Sequence, residues 1–312
     1  MTVTQQKRVD EIDFLKAVMI ILMVVFHLVW FSEGHPYAKQ VIYTFHMPAF
    51  LLLSGYFCHT NKSSRVFLHQ ILWFFIPYAI MELGYTVMCF YLPIHEHITE
   101  LSPSVLLYHL FVHPLGPYWY LQTLIICQLL SFLIFRFNLC RSFIGNLILL
   151  CVVIFALHNL IVFANAMYFV AGFILLQSGT KFLSFFKPSV LAIIPLVWLC
   201  CFPKNLDRAT IAGIVINYLA ISFCLTIYPH LSRKIKTMFL FLGRNTLVIL
   251  LFSPIFTLFS KYFIPLFSWD PTRITFMIIS VMFTLTGCVI MAWFFDRFHI
   301  SKFFFGRKEV LK

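Results

Sequence analysis

The sequence reads as an all-α polytopic membrane protein, about ten transmembrane helices packed in one bundle. Hydrophobic residues make up 61% of the chain and charged residues only 11%, with 39 Phe and a mean hydropathy of +0.92. A soluble domain keeps about 25% charged residues to cover its surface, so this chain must use lipid as its solvent. Apolar runs of membrane-spanning size recur along the whole length. No polar stretch between them is long enough to fold alone, so residues 1–312 are expected to form one integral-membrane domain without a separate soluble domain.

Ten spans are placed at approximately 12–32, 41–59, 69–92, 118–136, 144–163, 166–179, 188–203, 210–228, 238–260 and 274–295. The first follows Lys7 and Arg8, is as long as a full span and lacks a small-residue cleavage site, so it is not expected to be a signal peptide. The sixth is short and interrupted by Gly172 and Gly179, with no matching segment of an inverted repeat. With the N-terminus in the cytosol, 18 of the 23 Lys and Arg fall on inner segments. The outer five are Lys39, Lys204, Arg208, Lys261 and Arg273. This asymmetry is the positive-inside pattern, and it places both termini in the cytosol. It also accounts for the net charge of +12 without a nucleic-acid partner. The nine cysteines are scattered without a C-x-x-C, which argues against a disulfide framework or a zinc site and for free thiols used as small buried hydrophobes.

Ionisable groups inside a membrane are costly and mark function by default. Lys16 and His27 both lie in the first span; eleven helical residues put them on one face, roughly 16 Å apart along the axis. His46 in the second span and His27 in the first each lie roughly 7 Å inside the outer boundary, so the two imidazoles are expected to face each other. At the inner surface Lys16 and Arg65 suggest a cationic mouth suited to phosphate, with Asp13 placed to hold Lys16 at i,i+3. Headgroup snorkelling by Lys16 and topology alone for Arg65 are the bland alternatives. Glu82 in the third span is read as a substrate contact, or as a carboxyl paired with His69. Asn245, beside Arg244, is read as a donor contact. Trp119 and Tyr120 are an aromatic belt or a sugar-stacking platform, and Ser54 is a weaker polar candidate. The outer loop 93–117 holds no Lys or Arg but Glu96, Glu100, His95, His97, His109 and His113. The His109–His113 spacing suits a metal, yet no third ligand is evident, and no metal is expected.

The stretch from Arg8 through Asp13 and Lys16 to His27 resembles the start of the acyltransferase-3 family of bacterial membrane O-acetyltransferases. Lys16 and His27 meet its R/K-x10-H signature. Phe45, His46, Met47, Pro48, Phe50, Ser54 and Gly55 meet its second-span motif. Arg65 with Ile76-Pro77-Tyr78, Pro117 to Leu121 and Leu242 to Leu247 resemble later family elements, so the likeness covers nearly the whole chain. One departure is clear: many members carry a histidine in the late span, where this chain has Phe252, Ser253 and Pro254.

The resemblance implies a protein of the bacterial inner membrane that moves an acetyl group from cytosolic acetyl-CoA to a sugar hydroxyl of a surface polysaccharide or its lipid-linked precursor. His27 and His46 would then be catalytic, and Lys16, Arg65, Asp13 and Asn245 would serve acetyl-CoA. Trp119, Tyr120, Glu82 and Ser54 would serve the acceptor. Glycan-assembly proteins are the implied partners. Some relatives add a soluble esterase-like domain, and the expectation here is that any second step falls to another protein. Two other readings fit buried ionisable groups in a bundle: a transporter or glycan flippase, and an unrelated acyltransferase acting on lipids or proteins.

Overall fold

The first predicted span is broken directly after the histidine that makes it unusual. Helix α1 runs Asp10–His27, and Leu28 leaves helical geometry (φ −73°, ψ 95°) before α2, Val29–Gly34, resumes. Helix α3, Pro36–Tyr56, opens on a proline at its first position, where the missing N–H is no loss. The computed structural model describes residues 8–92 and 96–312, and it is helical throughout, with no strand among those residues.

The remaining helices are α4 (Ser64–Tyr91), α5 (Pro103–Phe111), α6 (Trp119–Arg136), α7 (Phe143–Ala156), α8 (Phe163–Gln177), α9 (Phe182–Phe185), α10 (Ile193–Cys200), α11 (Ile211–Ile227), α12 (Arg233–Arg244), α13 (Thr246–Phe259), α14 (Ile264–Phe267), α15 (Ile274–Arg297) and α16 (Ser301–Phe304). Their starts carry ordinary caps: Ser63, Ser102, Ser142 and Thr210 each accept from the backbone N–H three residues on, which satisfies one orphan donor.

Five helical stretches are long and apolar enough to cross a membrane: Ser64–Tyr91, Gly116–Arg136, Ile211–His230, Thr246–Phe267 and Ile274–Arg297. Ten such spans were expected. The shortfall has two causes. The helices Phe143–Ala156, Phe163–Gln177 and Val190–Cys200 are apolar but short. Helix α1 carries Asp10, Glu11, Asp13 and Lys16 in its first two turns, and α3 carries Lys39 and His46. The polar groups that suggested chemistry are thus the ones that weaken the span signal.

Two further differences concern local structure. Residues 103–111, read as part of a polar loop, form α5, a nine-residue apolar helix that packs on α4. His95, the loop's first histidine, lies outside the described residues. Gly172 does not interrupt the sixth span; it serves close packing. A Cβ on Gly172 would stand 1.9 Å from the Leu52 carbonyl oxygen, and one on Gly55 would stand 1.9 Å from that of Phe169. The backbones of α3 and α8 therefore touch, as small residues permit in membrane bundles. Helix α1 is central, packed against α3, α11, α12, α13 and α15. All nine cysteines are free.

Candidate active site

Both Lys16 and His27 face cavities, but two cavities rather than one passage. Lys16 lines a pocket of about 230 Å³ with Ile20 of α1, Met47, Phe50, Leu53 and Ser54 of α3, Tyr120, Leu121, Leu124 and Gln128 of α6, and Thr246, Leu247 and Leu250 of α13. His27 lines a larger cavity of about 780 Å³ farther along the same four helices, where Tyr43, Trp119, Gln122, Thr123, Ser253 and Pro254 contribute. Between the two linings lie Met23 and Val24 on α1, His46 on α3 and Leu251 on α13, all buried. Along these helices they fall between the residues of one lining and those of the other, and they are the partition between the two cavities.

The smaller cavity is mostly apolar, and Lys16 is the one charged residue of its lining. Asp13 is 2% exposed and gathers three cations: Arg8 Nε at 2.5 Å, Lys16 Nζ at 2.6 Å and Arg244 Nε at 3.5 Å. Arg244 also reaches Asp10 at 3.3 Å. Asp13 thus holds Lys16 at the cavity wall, as its spacing suggested. Arg65 does not join this group; it is exposed on the first turn of α4 and lies outside both cavities, because α4 packs through other faces. Asn245 sits at the break between α12 and α13 and also stays outside. Its amide donates to the carbonyls of Phe241 and Lys312, and its oxygen accepts from the Lys312 N–H, so it ties down the chain's last described residues.

At the far end, both histidines are fixed alike. His27 Nδ1–H donates to the Met23 carbonyl (2.7 Å), and His46 Nδ1–H donates to that of Ile42 (2.8 Å). Each N–H is thereby committed one turn back, and each Nε2 carries the lone pair. The Nε2 of His27 belongs to a residue of the large cavity. That of His46 is buried in the partition and makes no hydrogen bond. Tyr43 packs near both rings, its centroid 6.4 Å from His27 and 5.1 Å from His46.

The other expected contacts divide. Trp119 lines the large cavity, but Tyr120 lines the small one, since successive helical side chains diverge by about 100°. Tyr120 Oη lies 2.8 Å from Ser54 Oγ, so these two polar groups satisfy each other in the small cavity. Glu82 lines neither. Its Oε1 accepts from the Leu115 N–H (2.8 Å), pinning the turn before α6 to α4. His69 is not its partner; His69 accepts instead from Trp73 Nε1–H at 3.1 Å. His109 Nδ1–H donates to the His113 carbonyl at 2.8 Å.

Sequence reasoning missed several cavity residues. Asn165 of α8 is 1% exposed, lines the large cavity and leaves Oδ1 without a partner. Lys39, Arg208 and Lys261 line the same cavity. The only available signal was rarity, since these cations are three of the five outer ones; depth alone gave no reason to group them. Ser253 and Pro254, at the place of the family's late-span histidine, form part of the cavity wall, so an imidazole is lacking where it would face the same space.

The core helices thus carry a lysine-walled, mostly apolar pocket at one level and a histidine-lined cavity at another. The acyltransferase-domain model of the acyltransferase-3 family matches residues 9–293, nearly the whole chain. The chain therefore belongs to the acyltransferase-3 family and is a membrane acyltransferase. No curated protein and no solved structure matches it.

Proposed function

We propose that the protein takes acetyl-CoA from the cytosol at its Lys16 end. It then passes the acetyl group to a sugar hydroxyl of a cell-surface polysaccharide, or of its lipid-linked precursor, at its His27 end. The protein would lie in a bacterial inner membrane with both termini cytosolic. The observation that carries this reading is that Lys16 and His27, on one face of α1, each line one of two cavities set along the same four helices.

The charges fit the donor. Acetyl-CoA brings phosphates, and Arg8, Lys16 and Arg244 outnumber the two carboxylates, Asp10 and Asp13, that they contact. The apolar walls beyond Lys16 suit the uncharged arm that carries the thioester. Reaction requires that arm to part Met23, His46 and Leu251, opening the small cavity toward His27.

The chemistry then needs one base. His27 Nε2 takes the proton from the acceptor hydroxyl as its oxygen attacks the thioester carbonyl carbon. The tetrahedral intermediate collapses, the carbon–sulfur bond breaks, and the departing thiolate takes the proton back from the imidazolium. His46 presents a lone pair, not an N–H, toward the partition, which suits accepting a proton and does not suit stabilising an oxyanion. The Asn165 amide and the Thr123 hydroxyl are among the donors the cavity offers for that task.

The test is purified protein in liposomes with radiolabelled acetyl-CoA and a glycan acceptor. Label should appear on the glycan, and His27→Ala should abolish its appearance. Movement of glycan across the liposome without any dependence on acetyl-CoA would replace the enzyme by a carrier.

A further inference from the structure

Among the described residues three inner cations are ion-paired and none of the five outer ones is. All four ion pairs among the described residues involve Arg8, Lys16 or Arg244. Of the five Lys and Arg assigned to the outer side, Arg273 is occupied: it donates to the Trp30 carbonyl and lies over the Trp30 ring at 5.1 Å. Three of the other four, Lys39, Arg208 and Lys261, line the His27 cavity, each half-buried. Chance would not gather the scarce outer cations of a membrane protein at one opening.

No carboxylate neutralises them at contact distance. Glu33 and Glu96 share the cavity lining, but neither forms an ion pair with any of the three. Glu96 is turned to the Gly116 N–H, which it accepts at 2.7 Å. Asp207, next to Arg208 in the chain, folds back onto the Ala209 N–H at 2.8 Å. The cations instead lie over aromatic faces: Lys39 is 5.6 Å from the Tyr43 ring centre and Arg208 is 5.9 Å from that of Trp119. A sugar ring beside the indole would meet the guanidinium with any acidic group it bears. Deeper in, the unpartnered Asn165 Oδ1 is ready to accept from a hydroxyl. A neutral sugar would use the aromatic and amide groups and leave three cations unanswered.

We infer that the acceptor is anionic, carrying a carboxylate or phosphate held by Arg208, Lys39 and Lys261 while its hydroxyl is presented to His27. This rests on the acyl-transfer reading and names its acceptor class. Two sources supply such a charge: a uronic-acid residue of the glycan, or the diphosphate of a lipid-linked precursor.

Equilibrium binding without acyl donor tests the inference separately from catalysis. One arm compares a glucuronate-containing oligosaccharide with its carboxyl-reduced counterpart. The other compares a short-chain prenyl diphosphate sugar with the corresponding neutral prenyl glycoside. The expected result is about tenfold tighter binding of the charged form in one arm, which identifies the source, weakening as salt rises. Arg208→Gln should erase most of that preference and Arg208→Lys should retain it. Equal binding of charged and neutral forms in both arms overturns the inference. Transfer of label from acetyl-CoA, measured in parallel, decides the acyl-transfer reading on its own.

Discussion

Gly243 lies against Asp13 so closely that a Cβ at Gly243 would stand 1.8 Å from the Asp13 carbonyl oxygen and 2.6 Å from its carbon. This contact is how α12 delivers the next residue, Arg244, to the Asp13 carboxylate, and hence how the cation cluster closes around Lys16. The obstacle is backbone, which cannot rotate away. Gly243→Ala is expected to cost about 1–3 kcal/mol, as overpacking does. It should also loosen the Lys16 pocket. Gly84 is the control, since a Cβ there meets nothing within 4 Å and Ala favours a helix by about 1 kcal/mol. Thermal unfolding in detergent should show Gly243→Ala melting well below the parent and Gly84→Ala at or above it. Equal melting temperatures for the two would refute the role given to the contact.

Donor binding should follow the same cluster. Lys16→Ala removes the one cation that lines the small cavity, and we expect KM for acetyl-CoA to rise about tenfold with a smaller change in kcat. Arg65→Ala should stay within about twofold, because Arg65 is exposed and outside both cavities. Initial-rate kinetics over a range of acetyl-CoA concentrations separate the two. A larger effect at Arg65 than at Lys16 would mean that the donor enters elsewhere.

The two histidines should not be equivalent. His27 lines the large cavity and His46 is buried in the partition. His27→Gln is expected to lower kcat by about 10²–10⁴, the usual span for a general base. His46→Gln should act less on the chemical step and more on the opening of the partition. Single-turnover acetyl transfer measures the chemistry directly. Comparable loss at both positions would require the imidazoles to work as a pair.

These distinctions show where sequence reading stops. The helical period placed Lys16, Asp13 and His27 correctly relative to one another, because all three belong to one continuous helix. Depth placed His46 at the level of His27, yet nothing in the spacing revealed that Tyr43 would pack near both rings. Adjacent residues misled for the same reason: Trp119 and Tyr120 look like one aromatic unit in the chain and serve different cavities. Arg65 and Asn245 were assigned from being polar at the right level, and level does not specify facing. Asn165 and Arg208 come from α8 and from the turn before α11, so their convergence on His27 is set by tertiary approach, including the glycine contact of α3 with α8. The helix break at Leu28 leaves no mark, since leucine is a good helix former.

Stability at low pH should report on the turn that starts α15. Asp270, between α14 and α15, accepts from the Thr272 hydroxyl at 2.6 Å and from the N–H groups of Thr272 and Thr275, each at 2.9 Å. The Thr272 hydroxyl above all, with the Thr275 N–H, holds this carboxyl well below the usual carboxylate range. A carboxyl whose folded value is lowered favours the folded state above its unfolded value of about 3.9. That contribution is lost as pH falls through the lower folded value. Asp270→Asn keeps the size but removes the charge, so it should lower the melting temperature at neutral pH. Its difference from the parent should shrink once the pH is taken below about 4, where the unfolded chain's aspartate is protonated. Melting curves of both proteins from pH 7 down to pH 3 make the comparison. A difference that stayed constant with pH would assign the effect to hydrogen-bond geometry at this turn and not to the carboxylate's charge.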